Sequence, residues 1–498
     1  MHQKLTTLTA KLKDIHNLHC AEAVLGWDQQ VYMPPGGAEA RAEQLATLSK
    51  IAHEMFTTPE IGALLDDLAQ ADLGYDSDEA SLIRVVRRDY DKACKLPPAL
   101  VEEMSRTFSL GQQIWTKARA EKDFAQFQDI LTKIVDLNIQ KAEAYGYDDC
   151  IYDALLDEYE PGMKTAEVNQ VFDELKAELV PLVKAIAGRL DAVDDSCLKQ
   201  AFDETAQWDF GLIPLKAIGF DLERGRQDKS VHPFTTNFSI NDVRITTRVQ
   251  RDMFPSALFG TLHEGGHALY EQNSAPELEG TFLAGGTSLG VHESQSRLWE
   301  NVLGRSREFW QYYYPRLQEF FPAQLGRVEQ EDFYRAINKV SPSFIRVEAD
   351  EVTYNLHIFL RFELEQELVE QRLKVADLPE AWNAKMEAYL GLTPPHDALG
   401  VLQDIHWSGG SIGYFPTYTL GNVLSLQFYD RTLQDIPDLP DQFARGEFGA
   451  LLAWFRDKIH RHGRKFTANE LIERVTGAKR IQAAPYLNYI KRKFGEIY

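Results

Sequence analysis

The stretch Gly260-Thr-Leu-His-Glu-Gly-Gly-His-Ala-Leu-Tyr270 holds two histidines and a glutamate in the order H-E-x-x-H. At helical spacing His263 and His267 lie one turn apart on one face, so both imidazoles can reach a single metal ion. Glu264 sits about 100° round from that face, where its carboxylate can act on a water instead of ligating. This is the arrangement of a zinc hydrolase. The competing reading is a helix whose histidines cap or pack, and a third ligand decides between them.

A catalytic zinc site takes three protein ligands and keeps one position open. Glu271 continues the same face but fails on reach, because ligands at i, i+4 and i+8 span about 12 Å of helix axis while zinc holds its ligands at about 2 Å. A third histidine six residues past the second is absent, since Asn273 stands there. What remains is Val291-His-Glu-Ser-Gln-Ser-Arg-Leu-Trp-Glu300, a helical segment after Gly285-Gly-Thr-Ser-Leu-Gly290. Glu293, 26 residues beyond His267, is the preferred third ligand, because that separation leaves room for a loop and a second helix packed on the first. His292 and Glu300 compete with it.

Helices must position these groups. Leu5, Leu8, Leu12 and Ile15 recur at three and four, so residues 4–20 read as an amphipathic helix, broken by Trp27-Asp-Gln-Gln-Val-Tyr-Met-Pro-Pro-Gly-Gly37. A second helix with Leu45, Leu48, Ala52 and Met55 on one face runs towards Phe56, antiparallel to the first. Between Asp78 and Ala144 the tandem proline in Leu96-Pro-Pro98 ends one helix and starts the next. Residues 165–190 follow with Thr165 as N-cap and Val168, Val171, Phe172, Leu175 and Leu179 as a buried stripe. From Val231 to Val249 β-branched and aromatic residues at near period two predict strands turning near Asn241-Asp242. An edge strand there could take an extended peptide by main-chain hydrogen bonds or be a structural hairpin. Helical pattern prevails to the C-terminus, with no repeat or low-complexity linker. The expectation is one integrated, mainly α-helical domain over residues 1–498, two lobes around a cleft.

The chain has 498 residues, 44% hydrophobic and 26% charged, within the soluble globular range. Its formal charge of −22 opposes nucleic acid and anionic membrane surfaces. Cys20, Cys94, Cys150 and Cys197 form no C-x-x-C pair and are expected as free core thiols. No apolar window reaches a membrane span and the N-terminal residues lack a continuous apolar region, so a cytoplasmic location is expected.

With these residues in view the chain resembles the carboxypeptidase Taq family of metallocarboxypeptidases. Five segments in order carry the resemblance: Asp242-Val-Arg-Ile-Thr246, His263-Glu-Gly-Gly-His267, His292-Glu-Ser-Gln295, Ile345-Arg-Val-Glu-Ala-Asp350 and Gly400-Val-Leu-Gln-Asp-Ile-His-Trp407. Gly26-Trp-Asp-Gln-Gln-Val-Tyr-Met-Pro-Pro-Gly36 is also similar to the family. The resemblance implies a helical fold like those of neurolysin and angiotensin-converting enzymes, with a deep groove; the strands read from Val231 to Val249 add a small sheet near the active site. It also implies a homodimer and the release of single C-terminal residues from peptides with broad specificity. It carries the ligand roles onto His263, His267 and Glu293 and the general-base role onto Glu264. Zinc is the expected metal, with cobalt or manganese able to substitute in a set of two His and one Glu.

A carboxypeptidase must tell a chain end from a mid-chain peptide, which takes a cation facing the terminal carboxylate; the forked guanidinium of arginine suits it. Arg346 is the first candidate and Arg244 the second, each with a possible structural partner in Asp350 or Asp242. Oxyanion donors are sought in His406, Tyr414 and Tyr418, and Gln403 and Asp404 as positioning groups. The alternatives are an endo-acting metallo-oligopeptidase and an inactive peptide-binding scaffold.

Overall fold

The structure, a computed structural model, describes residues 2–498. Four helices open the chain: α1 (His2–Val31), α2 (Ala38–Phe56), α3 (Pro59–Leu68) and α4 (Asp78–Lys95). Leu8, Leu12 and Ile15 of α1 meet Ala52, Ile61, Leu65, Leu68, Leu82, Ile83 and Val86 in a small core closed by Leu278 and Leu283. The expected break at Trp27 is not there. The helix continues to Val31, because Gly26 costs only about 1 kcal/mol in a helix interior and Trp27 is buried. The chain turns only on reaching Pro34-Pro35.

A second, much larger core is built by the remaining helices. They begin with α5 (Pro98–Glu121), α6 (Ala125–Tyr145), α7 (Ile151–Leu156), α8 (Thr165–Ala187) and α9 (Glu204–Ala217). The tandem proline behaves as its chemistry dictates: α4 stops at Lys95 and Pro98 starts α5. In α8 the whole expected stripe is buried. Thr165, however, is its first helical residue and Lys164 the N-cap; the Thr165 N–H and hydroxyl both donate to Asp153 Oδ1, at 2.7 and 2.6 Å.

The sheet has three strands, β1 (Gly225–Lys229), β2 (Thr235–Ser239) and β3 (Asp242–Thr247), in the order β1-β3-β2. β2 and β3 form the expected antiparallel pair, with an irregularity between Asn237 and Ser239. β1 lies parallel to β3, and its Gly-Arg-Gln-Asp-Lys carries no β-branched or aromatic residue to announce it. β2 is an edge strand against the helix that follows, α10 (Phe254–Gln272).

α10 carries the H-E-x-x-H segment and packs on α11 (Leu289–Arg297). Six further helices run from α12 to α17: α12 (Arg307–Phe320), α13 (Pro322–Leu325), α14 (Gln330–Ile337), α15 (Tyr354–Val369), α16 (Leu378–Leu390) and α17 (Pro416–Asp435). The last four are α18 (Leu439–Phe443), α19 (Gly449–Lys458), α20 (Ala468–Thr476) and α21 (Ala483–Ile497). α11 is pressed between α10 and α17. A Cβ on Gly266 would stand 2.6 Å from Gln295 O and Ser296 Cα, and one on Gly421 would stand 2.5 Å from Glu293 Cβ. Gly265 is equally close to α9, 2.7 Å from Leu215 Cδ1. The glycine pair inside the motif helix therefore sits where two neighbouring helices approach too closely for a side chain.

All four cysteines are free, but the expectation of core thiols fails: Cys94 is exposed and the other three half-buried. No helix among the described residues is long and apolar enough to cross a membrane.

Candidate metal centre

His263 and His267 of α10 and Glu293 of α11 bring their donor atoms to within 4.8 Å of one another. Glu293 Oε2 lies 3.7 Å from His263 Nε2 and 3.3 Å from His267 Nε2. The Nδ1 side of each ring is already engaged. His263 Nδ1 is 2.8 Å from Glu300 Oε2, which comes from the π-helical turn Leu298–Leu303 continuing α11. His267 Nδ1 is 2.6 Å from His292 Nδ1, and His292 Nε2 is 2.6 Å from Glu271 Oε1. The other oxygen of Glu271 accepts from Asn237 Nδ2 of β2 at 2.7 Å. This chain has one consistent direction: Glu271 accepts from His292 Nε2–H, so His292 Nδ1 accepts from His267 Nδ1–H. Both histidines then keep an Nε2 lone pair aimed at Glu293, the tautomer that a metal ligand needs. His292, Glu300 and Glu271 are thus engaged in orienting the two rings.

Burial pushes His267 down to about 3, so its ring is neutral. Burial alone would raise Glu293, but Arg297, reaching Glu293 Oε1 at 2.6 Å, and the two histidines hold it well below the usual carboxylate range. Two imidazole nitrogens and an ionised oxygen converging in a buried site form a donor set that fits Zn2+, and also Co2+ or Mn2+.

Glu264 is buried beside the cluster, and burial raises its carboxyl above the ordinary value. Its Oε2 accepts from the hydroxyl of Thr235 at 2.6 Å, so the edge strand reaches directly to this carboxylate. The sequence reading did not single out Thr235; nothing in Thr-Thr-Asn distinguishes the threonine that faces α10.

Arg346 stands in a short turn with 4% of its surface exposed. Its Nε and Nη2 donate to Asp404 Oδ1 at 3.1 and 2.8 Å, and its Nη1 to the Tyr354 hydroxyl at 2.8 Å. Asp350, the partner expected from sequence, instead caps Val352 and Thr353. Arg361 donates from Nε to the second oxygen of Asp404 at 2.7 Å, so two guanidinium groups share one carboxylate and the cluster keeps a positive excess. Gln403 holds the turn itself, accepting from the Arg346 N–H at 2.9 Å and donating to Phe344 O at 2.9 Å. His406 Nε2 lies 3.2 Å from the Tyr418 hydroxyl, its ring packs on Tyr414 and Phe415, and burial pushes it down to about 3, keeping it neutral.

These groups join the metal cluster through Arg297 and Tyr354, neither of which the sequence reading named. The Arg297 guanidinium lies 4.5 Å from the Tyr354 ring centroid and bonds Glu293, while the Tyr354 hydroxyl meets Arg346. Arg244 is placed apart: it forks onto Asp242 at 2.8 and 2.9 Å between the rings of Trp27 and Phe238, with no contact to the cluster among the described residues.

The family model described as carboxypeptidase Taq (M32) metallopeptidase matches residues 7–494. The thermostable carboxypeptidase 1 of Thermus thermophilus is 44% identical over 490 residues, covering 96% of this chain and 95% of that protein. The carboxypeptidase 1 of Bacillus subtilis is 38% identical over 487 residues, covering 98% and 97%. Among solved structures, an M32 carboxypeptidase from Deinococcus radiodurans superposes with a TM-score of 0.97 at 44% identity, covering 100% of this chain and 99% of that one. A Pyrococcus furiosus carboxypeptidase superposes with a TM-score of 0.96 at 41% identity, covering 99% of each.

Proposed function

The chain belongs to the carboxypeptidase Taq (M32) family of metallopeptidases, and from that premise we propose that it removes single residues of broad type from peptides with a free C-terminus, using Zn2+ held by His263, His267 and Glu293. That it is a metallocarboxypeptidase, a hydrolase acting on peptides with a divalent metal, follows from the family. The single observation that carries the finer reading is the convergence of the two Nε2 atoms on Glu293 with both Nδ1 atoms already anchored. Zinc held by these residues supplies a Lewis acid that lowers the pKa of water and polarises a carbonyl. Glu264 takes the proton of the attacking water and returns it to the leaving amine; its raised affinity for a proton suits both halves of that task. Thr235 holds the Glu264 carboxylate in one orientation. Neutral His406 and the Tyr418 phenol donate to the developing oxyanion.

Arg346, left with unneutralised charge because Asp404 is divided between two arginines, faces the substrate carboxylate, with Gln403 fixing its backbone. Arg244, committed to Asp242, ranks second. The enzyme acts as one domain, as a homodimer and in the cytoplasm.

Mass spectrometry of a peptide pool incubated with zinc-loaded enzyme tests the reading: ladders shortened from the C-terminus support it, and internal cuts identify an oligopeptidase instead. Glu264→Gln is expected to keep the metal and lose turnover by at least about a hundredfold. Wild-type activity in that variant would overturn the general-base assignment.

A further inference from the structure

α11 brings both Glu293 and His292 to the metal cluster, yet it has only nine residues. Even with the π-helical turn that continues it, so short a helix is marginal on its own hydrogen bonds, and its start gains from being fixed from outside. Its first N–H groups are all satisfied. Ser288 serves as the local N-cap: its side-chain oxygen accepts from Val291 N at 3.1 Å, and its carbonyl from His292 N at 3.0 Å. The two remaining donors are taken by a turn far upstream, between α7 and α8. Tyr159 O accepts from Leu289 N at 3.0 Å, and the Glu160 carboxylate accepts from Gly290 N.

Glu160 is an expensive residue for that task. It is fully buried, and among the described residues no Lys or Arg pairs with it and its second oxygen has no hydrogen-bond partner. A buried carboxyl in that state costs stability that a neutral acceptor would not. It is also closely fitted, since a Cβ on Gly290 would come within 2.9–3.2 Å of its carboxylate atoms. The same turn touches the far wall of the site, because the Tyr159 ring packs edge-on against Tyr414, 5.1 Å between centroids, and Tyr414 packs on His406. Glu293 lies one helical turn past Gly290, so a displacement of the helix start passes directly to the ligand oxygen, whose tolerance around a metal is about 0.2 Å.

We propose that Glu160 is a positioning residue of the metal centre, which acts through Gly290 and α11 to fix Glu293 and His292 relative to the histidines of α10 and the aromatic wall. The proposal rests on the assignment of Glu293 as a ligand.

The test measures Zn2+ affinity by chelator competition on the full chain, with folding of each variant checked by circular dichroism. Glu160→Leu fills the same space without an acceptor, Glu160→Ala removes both, and Glu160→Gln keeps an acceptor oxygen at the same reach. Leu and Ala variants are expected to bind Zn2+ at least about tenfold more weakly, the effect typical of groups that support ligands, with Gln within about threefold of wild type. Weak binding in the Leu variant, which keeps the bulk, together with rescue by Gln marks the acceptor as the cause, since a loss of packing alone would weaken the Ala variant and spare the Leu variant. A folded Leu or Ala variant with wild-type affinity would overturn the proposal, as would a Gln variant as weak as Leu. Glu293→Gln is the control: if it binds Zn2+ like wild type, the ligand assignment itself fails. If it loses the metal while Glu160→Leu does not, only the positioning role fails.

Discussion

Two side chains that bond buried carboxylates, Thr235 on Glu264 and Arg346 on Asp404, can each be tested singly. The Thr235 hydroxyl gives Glu264 its one side-chain hydrogen bond, 2.6 Å from Oε2. Thr235→Val, of equal shape but without the hydroxyl, should lower kcat roughly tenfold to a hundredfold, less than the about 10²–10⁴-fold contributed by an acid–base group itself, because Glu264 remains in place. Metal content should be unchanged and Thr235→Ser should recover most of the rate; a Val variant with wild-type kcat would make the contact incidental. For Arg346, removal leaves Asp404 still paired with Arg361, so the fold should survive the change. Arg346→Met is expected to raise KM for free-acid peptides at least about tenfold. It should also shrink the difference between a peptide and its C-terminal amide, which steady-state kinetics on the pair will read. The sequence offered Asp350 as a structural partner for Arg346, whereas its partner is Asp404, because the turn aims the side chain away from its own stretch of sequence.

Among the elements, α11 decides the geometry. Its contacts with α10 and α17 are so close that Gly266 and Gly421 leave no room for a methyl group. Gly421→Ala, with its new Cβ 2.5 Å from Glu293 Cβ, should destabilise the protein by about 1–3 kcal/mol, as overpacking does, and weaken Zn2+ binding in the same variant. Thermal melts and chelator competition read the two effects separately; wild-type affinity together with a lowered Tm would mean that the clash is relieved away from the ligand. The helix expected after Gly290 begins slightly earlier, at Leu289, because Ser288 caps it and Gly290 is taken into its first turn. β1 was missed because its glycine and four polar residues pair through backbone alone, and propensity has no hold on such a strand.

For the protein as a whole, pH-dependent stability should reveal the unpaired carboxyl at the helix start. Burial pushes Glu160 up to about 8, the Gly290 N–H and the Ser288 side chain offsetting only part of it. Between the ordinary carboxyl range and that value the unfolded chain has released the proton while the folded one retains it. Unfolding therefore releases a proton, and stability falls as pH rises, with the full cost reached above about 8. Glu160→Gln lacks this loss. The two proteins should melt together near pH 4.5, and the variant should lead at pH 8.5 by on the order of a few kcal/mol. Parallel profiles would show that Glu160 is not protonated in the fold. The net charge of −22 does not predict the field at the site, where Arg346 and Arg361 outnumber Asp404; a buried cluster is governed by its neighbours within a few ångströms and the distant surface charge is screened.

The gathering of His263, His267 and Glu293, with Glu264 beside them, was legible in the residues because an α-helix converts four-residue spacing into a shared face, and because a metal site draws on few residue types. The stripes of α8 and the proline boundary before α5 were equally plain, since apolar periodicity and missing N–H groups act locally. What folding added was every contact between groups distant in the chain. These are the His267–His292–Glu271–Asn237 relay, the turn of Glu300 towards His263, the sharing of Asp404 by two arginines, the reach of Thr235 to Glu264 and the grip of Glu160 on α11. Such partners carry no spacing signature, because which of many similar carboxylates, hydroxyls and guanidinium groups meet depends on how helices and strands pack, and that packing is decided by all the core residues together.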